Sequence, residues 1–98
     1  MGMKTYFLEL VMPGHQLDGQ RTVVHAWHDQ GAVEKAYKSI TGENNITGWP
    51  TWDSQTKWAI MDKQEQSLDH PVAHVNILYK HHTKMSDAAW GKKLMSLP

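Results

Sequence analysis

At 98 residues, with Lys plus Arg and Asp plus Glu balanced at 10 each, the chain carries no net charge and so no overall electrostatic footprint of a nucleic-acid binder. The absence of cysteine excludes a disulfide framework, a thiol nucleophile and a thiolate metal site. No apolar run approaches the roughly 18 residues of a membrane span, and the amino terminus lacks the charged-then-apolar layout of a signal peptide, so a cytoplasmic single domain is expected over 1–98.

In chain order, Thr5 to Met12 alternates Tyr6, Leu8, Leu10 and Met12 on one side with Phe7, Glu9 and Val11 on the other, the period of a strand. Pro13-Gly14 and Asp18-Gly19 break it. Thr22 to Trp27 is mostly β-branched or aromatic and predicts a second strand, paired with the first as an antiparallel hairpin with a longer than minimal loop. The period then changes to a helical one. Ala32, Val33, Ala36, Tyr37 and Ile40 fall on one stripe, Asp29 is placed to cap the start, and Gly42 to close the end in a left-handed conformation.

Gly42 to Thr56 has no consistent period and reads as a long loop. Lys57 to Asp62 and Val72 to Lys80 read as third and fourth strands, the last with Ala73, Val75, Ile77 and Tyr79 inward and His74, Asn76 and Leu78 outward. The tail reads as a second helix: Ser86 caps it, Met85 and Trp90 match a hydrophobic staple, and Ala89, Trp90, Lys93, Leu94 and Leu97 make its stripe. The fold class expected is α+β, in the order β-β-α-β-β-α, a mostly antiparallel four-stranded sheet with two helices packed on one face. The expected core is Tyr6, Leu8, Leu10, Val24, Ala26, Val33, Ala36, Tyr37, Ile40, Trp58, Ile60, Val75, Ile77, Tyr79, Trp90 and Leu94.

Chemistry-bearing residues are sparse. Seven histidines invite a metal reading, since imidazole is a common ligand, but His25 and His28 straddle a strand end, His70 and His74 lack a helical frame, and no HExxH occurs. No metal and no cofactor is expected. There is no GxSxG elbow, Gly-rich phosphate loop or paired carboxylates on a helix face. His25 and His74, near Glu9 and Asn76 if their strands are neighbours, are the one arrangement in which a base beside a carboxylate could do acid-base work. The alternative is a polar lining on an exposed sheet.

Trp49-Pro50-Thr51-Trp52 is the most specific oddity. Two tryptophans around a proline either present an anchor to a protein partner or fold back as a satellite cluster. Strict alternation along the strands also turns Phe7, Val11, Val23, Trp27 and Leu78 outward around His25, His74 and Asn76, a patch large enough to mark an interface. A homodimer through this open face is the partner expected first. The function expected is a small non-enzymatic, oligomeric module that binds another macromolecule. The alternatives are single-stranded nucleic-acid binding by stacking on Trp27, Trp49 and Trp52, and a small ligand-binding or enzymatic domain using His25 and His74. No family-specific motif is present. In general style the chain, short, cysteine-free and rich in Trp and His, is similar to small accessory proteins of phages and mobile elements, a likeness that transfers no residue role.

Overall fold

The computed structural model describes residues 2–65 and 69–83. Its elements run β1 (Lys4–Val11), β2 (Arg21–Ala26), α1 (Asp29–Thr41), β3 (Ile46–Pro50), β4 (Lys57–Asp62) and β5 (Ala73–His81). The five strands form one sheet in the order β2-β1-β5-β4-β3, every neighbouring pair antiparallel. The four-stranded sheet with two helices is therefore corrected to five strands with one helix among the described residues. The expected terminal helix, with Trp90 and Leu94 of the expected core, lies outside them.

The β1–β2 hairpin forms as the sequence indicates. Glu9 pairs with Arg21 and Lys4 with Ala26. The intervening turn is closed by Met12 N–H donating to the Asp18 carboxylate at 2.7 Å and Gly19 N–H donating to the Leu10 carbonyl at 2.8 Å. Helix α1 then crosses from the β2 edge to the β3 edge and packs against all five strands. Ala32, Val33, Ala36 and Tyr37 of its stripe are buried, and Ile40 packs against the core half-buried. Gly42 ends the helix at φ 81°, its N–H donating to the Lys38 carbonyl at 2.8 Å, the left-handed closure that glycine adopts without a Cβ clash. The start differs from expectation. His28 occupies the cap position with extended backbone and no side-chain cap, and Asp29 is the first helical residue. The Asp29 carboxylate has better partners elsewhere, described below.

Strand β3 lies within the stretch expected to be a loop. Its period of two is real, with Ile46 and Gly48 buried beneath α1 and Thr47 and Trp49 on the other side, but Gly48 and Pro50 hide it by their low strand preference. Both have a position-specific reason. A Cβ at Gly48 would come within 2.8 Å of Val33 Cγ2, so the helix needs a bare backbone there. Pro50 closes an edge strand, where its missing N–H removes no bond to a neighbour. The helix also satisfies the outer rim of β3: Gly48 N–H donates to Glu34 Oε2 at 2.8 Å, and Gln30 Nε2 donates to the Gly48 carbonyl at 3.0 Å.

One irregularity changes which residues share a face. The β1–β5 register shifts between Phe7 and Leu8, so that Phe7 faces Tyr79 while Leu8 faces Ile77, and Leu78 is the extra residue of a bulge. Tyr79, expected inside with Ile77, is thereby carried to the face opposite α1. The core under the helix is otherwise the expected one: Tyr6, Leu8, Leu10, Val24, Ala26, Ile60, Val75 and Ile77 are buried, with Trp58 packed against them half-buried.

Candidate functional site

The β3–β4 hairpin is the most unusual part of the surface. Its turn is ordered by a compact polar net. Thr51 Oγ1 donates to the Lys57 carbonyl at 2.7 Å and Thr51 N–H to the same oxygen at 3.3 Å, while Thr56 N–H donates to Ser54 Oγ at 3.2 Å. From this turn Trp52 projects with 98% of its surface exposed, and Trp49, on the adjoining strand, is also exposed. Trp52 is therefore not folded back as a satellite cluster.

Clefts open on either side of it. One is lined by Asp29, Pro50, Thr51, Asp53 and Gln55 together with Trp52, and the other by Asp53, Ala59, Asp69 and His74 with Trp52 and Pro50. Asp29 also borders a third hollow, with Gln55, Thr56, Leu78 and Lys80, into which the β5 bulge delivers Leu78. The rim around Trp52 is thus acidic.

Asp29, in the lining of the first cleft, is held from the sheet: Tyr6 Oη donates to Asp29 Oδ1 at 2.7 Å, and Lys80 Nζ donates to Asp29 Oδ1 and Oδ2 at 3.2 and 3.4 Å. Lys80 faces Tyr6 across the β1–β5 pair, so both partners of Asp29 come from the sheet. Burial raises the Tyr6 pKa, and the hydrogen bond from the Tyr6 hydroxyl to Asp29 and the negative charge there add to it. The phenol stays protonated at physiological pH and is a donor that holds the first turn of α1 to the sheet, not a base.

The histidines do not assemble. On the face opposite α1, His25 lies beside Thr5 and His74 beside Val11, six residues apart along β1, about 20 Å at strand rise. The register between β2, β1 and β5 makes the expected His25–His74 constellation impossible. His25 Nδ1 meets Thr5 Oγ1 at 3.0 Å, and Thr5 gives its single hydroxyl proton to the Thr83 carbonyl at 3.0 Å. His25 must therefore be the donor through Nδ1–H. His74 is pushed to a lower pKa by burial first and then by the Lys57 charge, against a smaller upward pull from Asp53. The lowered pKa favours the neutral imidazole, and the cleft that His74 lines is otherwise formed by Pro50, Thr51, Trp52, Asp53, Ala59 and Asp69. Among the described residues no group of three or more His, Asp or Glu is placed to hold a metal ion.

The remaining expected site residues are placed as follows. Val11, Val23 and Asn76 are half-buried on the face opposite α1, and Phe7 on that face is only 4% exposed, its ring beneath the Arg21 guanidinium at 5.7 Å. Trp27 is 54% exposed but stands at the end of β2, beside Met3, Gln30 and Lys35. Strands β2 and β3 are opposite edges of the sheet, four inter-strand spacings or about 19 Å apart, so Trp27 is not grouped with Trp49 and Trp52. Asp53 carries no sequence signal of a site, and nothing local in the sequence joins Asp29 to Lys80; the spacing of two Trp around Pro50 is what points to this region.

No helix among the described residues is long and apolar enough to cross a membrane. Compared with models of protein families, with curated proteins and with solved structures, the chain matches none.

Proposed function

We propose that the protein is a small non-enzymatic binding module that docks a partner protein on the β3–β4 hairpin, with Trp52 as the anchor. The observation that carries this reading is the 98% exposure of Trp52 on a turn already fixed by hydrogen bonds. Burying an indole removes about 150 to 250 Å² from water, worth about 4 to 6 kcal/mol by area, and a pre-ordered turn loses little entropy in doing so. The flanking clefts with Asp53 and Asp69 suit an apolar slot with a basic rim on the partner.

Single-stranded nucleic acid fits this surface less well. A stacking platform needs its aromatics along one basic groove, whereas Trp27 lies at the far edge of the sheet and the Trp52 rim is acidic. The acid-base reading rests on a histidine pair that the register separates.

A photo-cross-linking amino acid at position 52, with one at exposed Glu43 as control, tests the proposal in cells. One discrete protein adduct at 52, absent at 43, is the expected result. No adduct at 52, or equal adducts at both, refutes it, and an adduct of twice the chain mass makes the partner a second copy.

A further inference from the structure

A cleft opens on the α1 face at one end of the sheet, where β1 runs out, β3 begins, β4 ends and the chain enters β5. The Trp52 hairpin joins β3 to β4 at the opposite end. The cleft measures about 390 Å³, within the range of about 300 to 1,000 Å³ typical of small-molecule sites. Met12, Leu17, Ile46 and Val72 give it apolar surface, and Glu43 and Asp62 bring carboxylates. Asp62 stands directly across from buried Ile46 in the β3–β4 pair, which turns it to the α1 side. Among the described residues neither carboxylate forms an ion pair.

Tyr37 adds a polar group without a partner. It is only 4% exposed, and its hydroxyl lies beside Thr41 and Glu43, which line the cleft with it. Thr41 is no donor to the phenol, because Thr41 Oγ1 gives its proton to the Tyr37 carbonyl at 2.8 Å and accepts the Glu43 N–H at 3.1 Å. Nor does the Tyr37 hydroxyl donate to any other described residue. Buried polar groups are paired as a rule, so this hydroxyl is available to a ligand in the cleft. Burial raises its pKa, and the phenol stays protonated at neutral pH.

We propose that this cleft binds a small organic cation, an ammonium group beside a hydroxyl or carbonyl oxygen on a short apolar body. Charge decides the class. Glu43 and Asp62 are joined by the negative end of the α1 dipole, since the helix ends at Thr41 in the cleft wall. No lysine or arginine is among the described lining residues, and His15 Nδ1 accepts the Leu17 N–H at 3.1 Å, which leaves that nitrogen unprotonated and the ring neutral. An anion is repelled there. An ammonium reaches a carboxylate while the Tyr37 hydroxyl donates to the neighbouring oxygen and the body covers the apolar side chains. The inference is independent of the reading of Trp52, which stands at the other end of the sheet.

Three compounds that share a phenyl body and a hydroxyl test this on the 98-residue chain: cationic 2-amino-1-phenylethanol, neutral 1-phenyl-1,2-ethanediol and anionic mandelate. Followed by amide NMR shifts, the amine should move Leu17, Thr41, Glu43, Ile46 and Asp62 with a Kd of about 1 mM or below. The diol and mandelate should bind at least about tenfold more weakly, because each lacks the charge-assisted bond to a carboxylate. Glu43→Gln, at an exposed position, should weaken the amine by a similar factor. Tyr37→Phe should weaken it too, yet leave Tm unchanged or raised, because the hydroxyl has no bond within the chain to lose. No shift with the amine, binding of the diol or mandelate as tight as the amine, shifts centred on the Trp52 hairpin, or variants that bind like wild type overturn the inference. A lowered Tm for Tyr37→Phe makes the hydroxyl structural and overturns it as well.

Discussion

Gly48→Ala tests the contact that joins the helix to the far edge of the sheet. The added Cβ would sit 2.8 Å from Val33 Cγ2 and 3.4 Å from Glu34 Cγ. Ordinary carbon contacts are about 3.5 to 4.0 Å, so the first distance is short by about 0.7 Å or more. Val33 is fully buried and β-branched, with one strongly preferred rotamer in a helix, and cannot swing aside. Either Val33 leaves its rotamer or α1 lifts from β3, stretching the Glu34 and Gln30 bonds to the Gly48 backbone. Overpacking of this kind costs about 1 to 3 kcal/mol. Opposing it, Ala in a strand interior gains about 0.5 to 1 kcal/mol over Gly. Destabilisation wins by about 1 kcal/mol, a fall in Tm of about 4 to 8 °C for a chain of this size. Thermal unfolding by circular dichroism reads it. Val33→Ala should cost less in the Gly48→Ala background than in wild type, a coupling of at least about 0.5 kcal/mol. An unchanged or raised Tm with additive effects would refute the close seating of α1 on β3.

Tyr6→Phe should lower stability by about 1.5 to 3 kcal/mol, measured by urea unfolding, because it removes a part-buried hydrogen bond to a charged acceptor while Lys80 stays on Asp29. Because the folded state holds the Tyr6 proton more tightly, wild type should lose stability as pH rises above about 10, the unfolded value, and Tyr6→Phe should lose less; equal alkaline loss in both would count against the raised pKa. His74 has the opposite sign. Its lowered pKa favours the neutral ring in the folded state, so stability is retained above about 6.5 and falls as pH drops from there through the folded value; an NMR titration midpoint at or above 6.5 contradicts this. Trp52→Ala should leave unfolding within about 0.5 kcal/mol of wild type, because the side chain touches little, yet weaken capture of the partner cross-linked at position 52 by about 2 kcal/mol or more, roughly 30-fold. A large loss of stability would return Trp52 to a structural role.

The parts of the fold legible in the sequence are those set by a local period. The stripe Ala32, Val33, Ala36, Tyr37 and Ile40 with Gly42 behind it needs only neighbours three and four residues away, and the hairpin of β1 with β2 needs only alternation and turn residues. Strand β3 was hidden because its composition answers to a distant element: Gly48 is glycine on account of Val33, fifteen residues earlier. Ile46, Gly48 and Pro50 do keep a period of two, which is the signal that could have found it. The β5 bulge leaves no local mark, so Tyr79 and Leu78 were assigned to the wrong surroundings. The same holds for the site. Trp49 and Trp52 stand out by residue type, whereas the bonds of Asp29 to Tyr6 and Lys80, and the separation of His25 from His74, depend on strand order and register that pairing alone decides.

The accessibility of the indole N–H groups, followed by NMR with a soluble paramagnetic agent, tests the proposed anchor most directly. In the free protein the Trp52 signal should be broadened most, Trp49 and Trp27 less, and half-buried Trp58 least, with Trp52 alone regaining its intensity when the partner cross-linked at position 52 is added. A Trp52 signal as protected as that of Trp58 in the free protein, or one that stays broadened in the complex, would contradict the account.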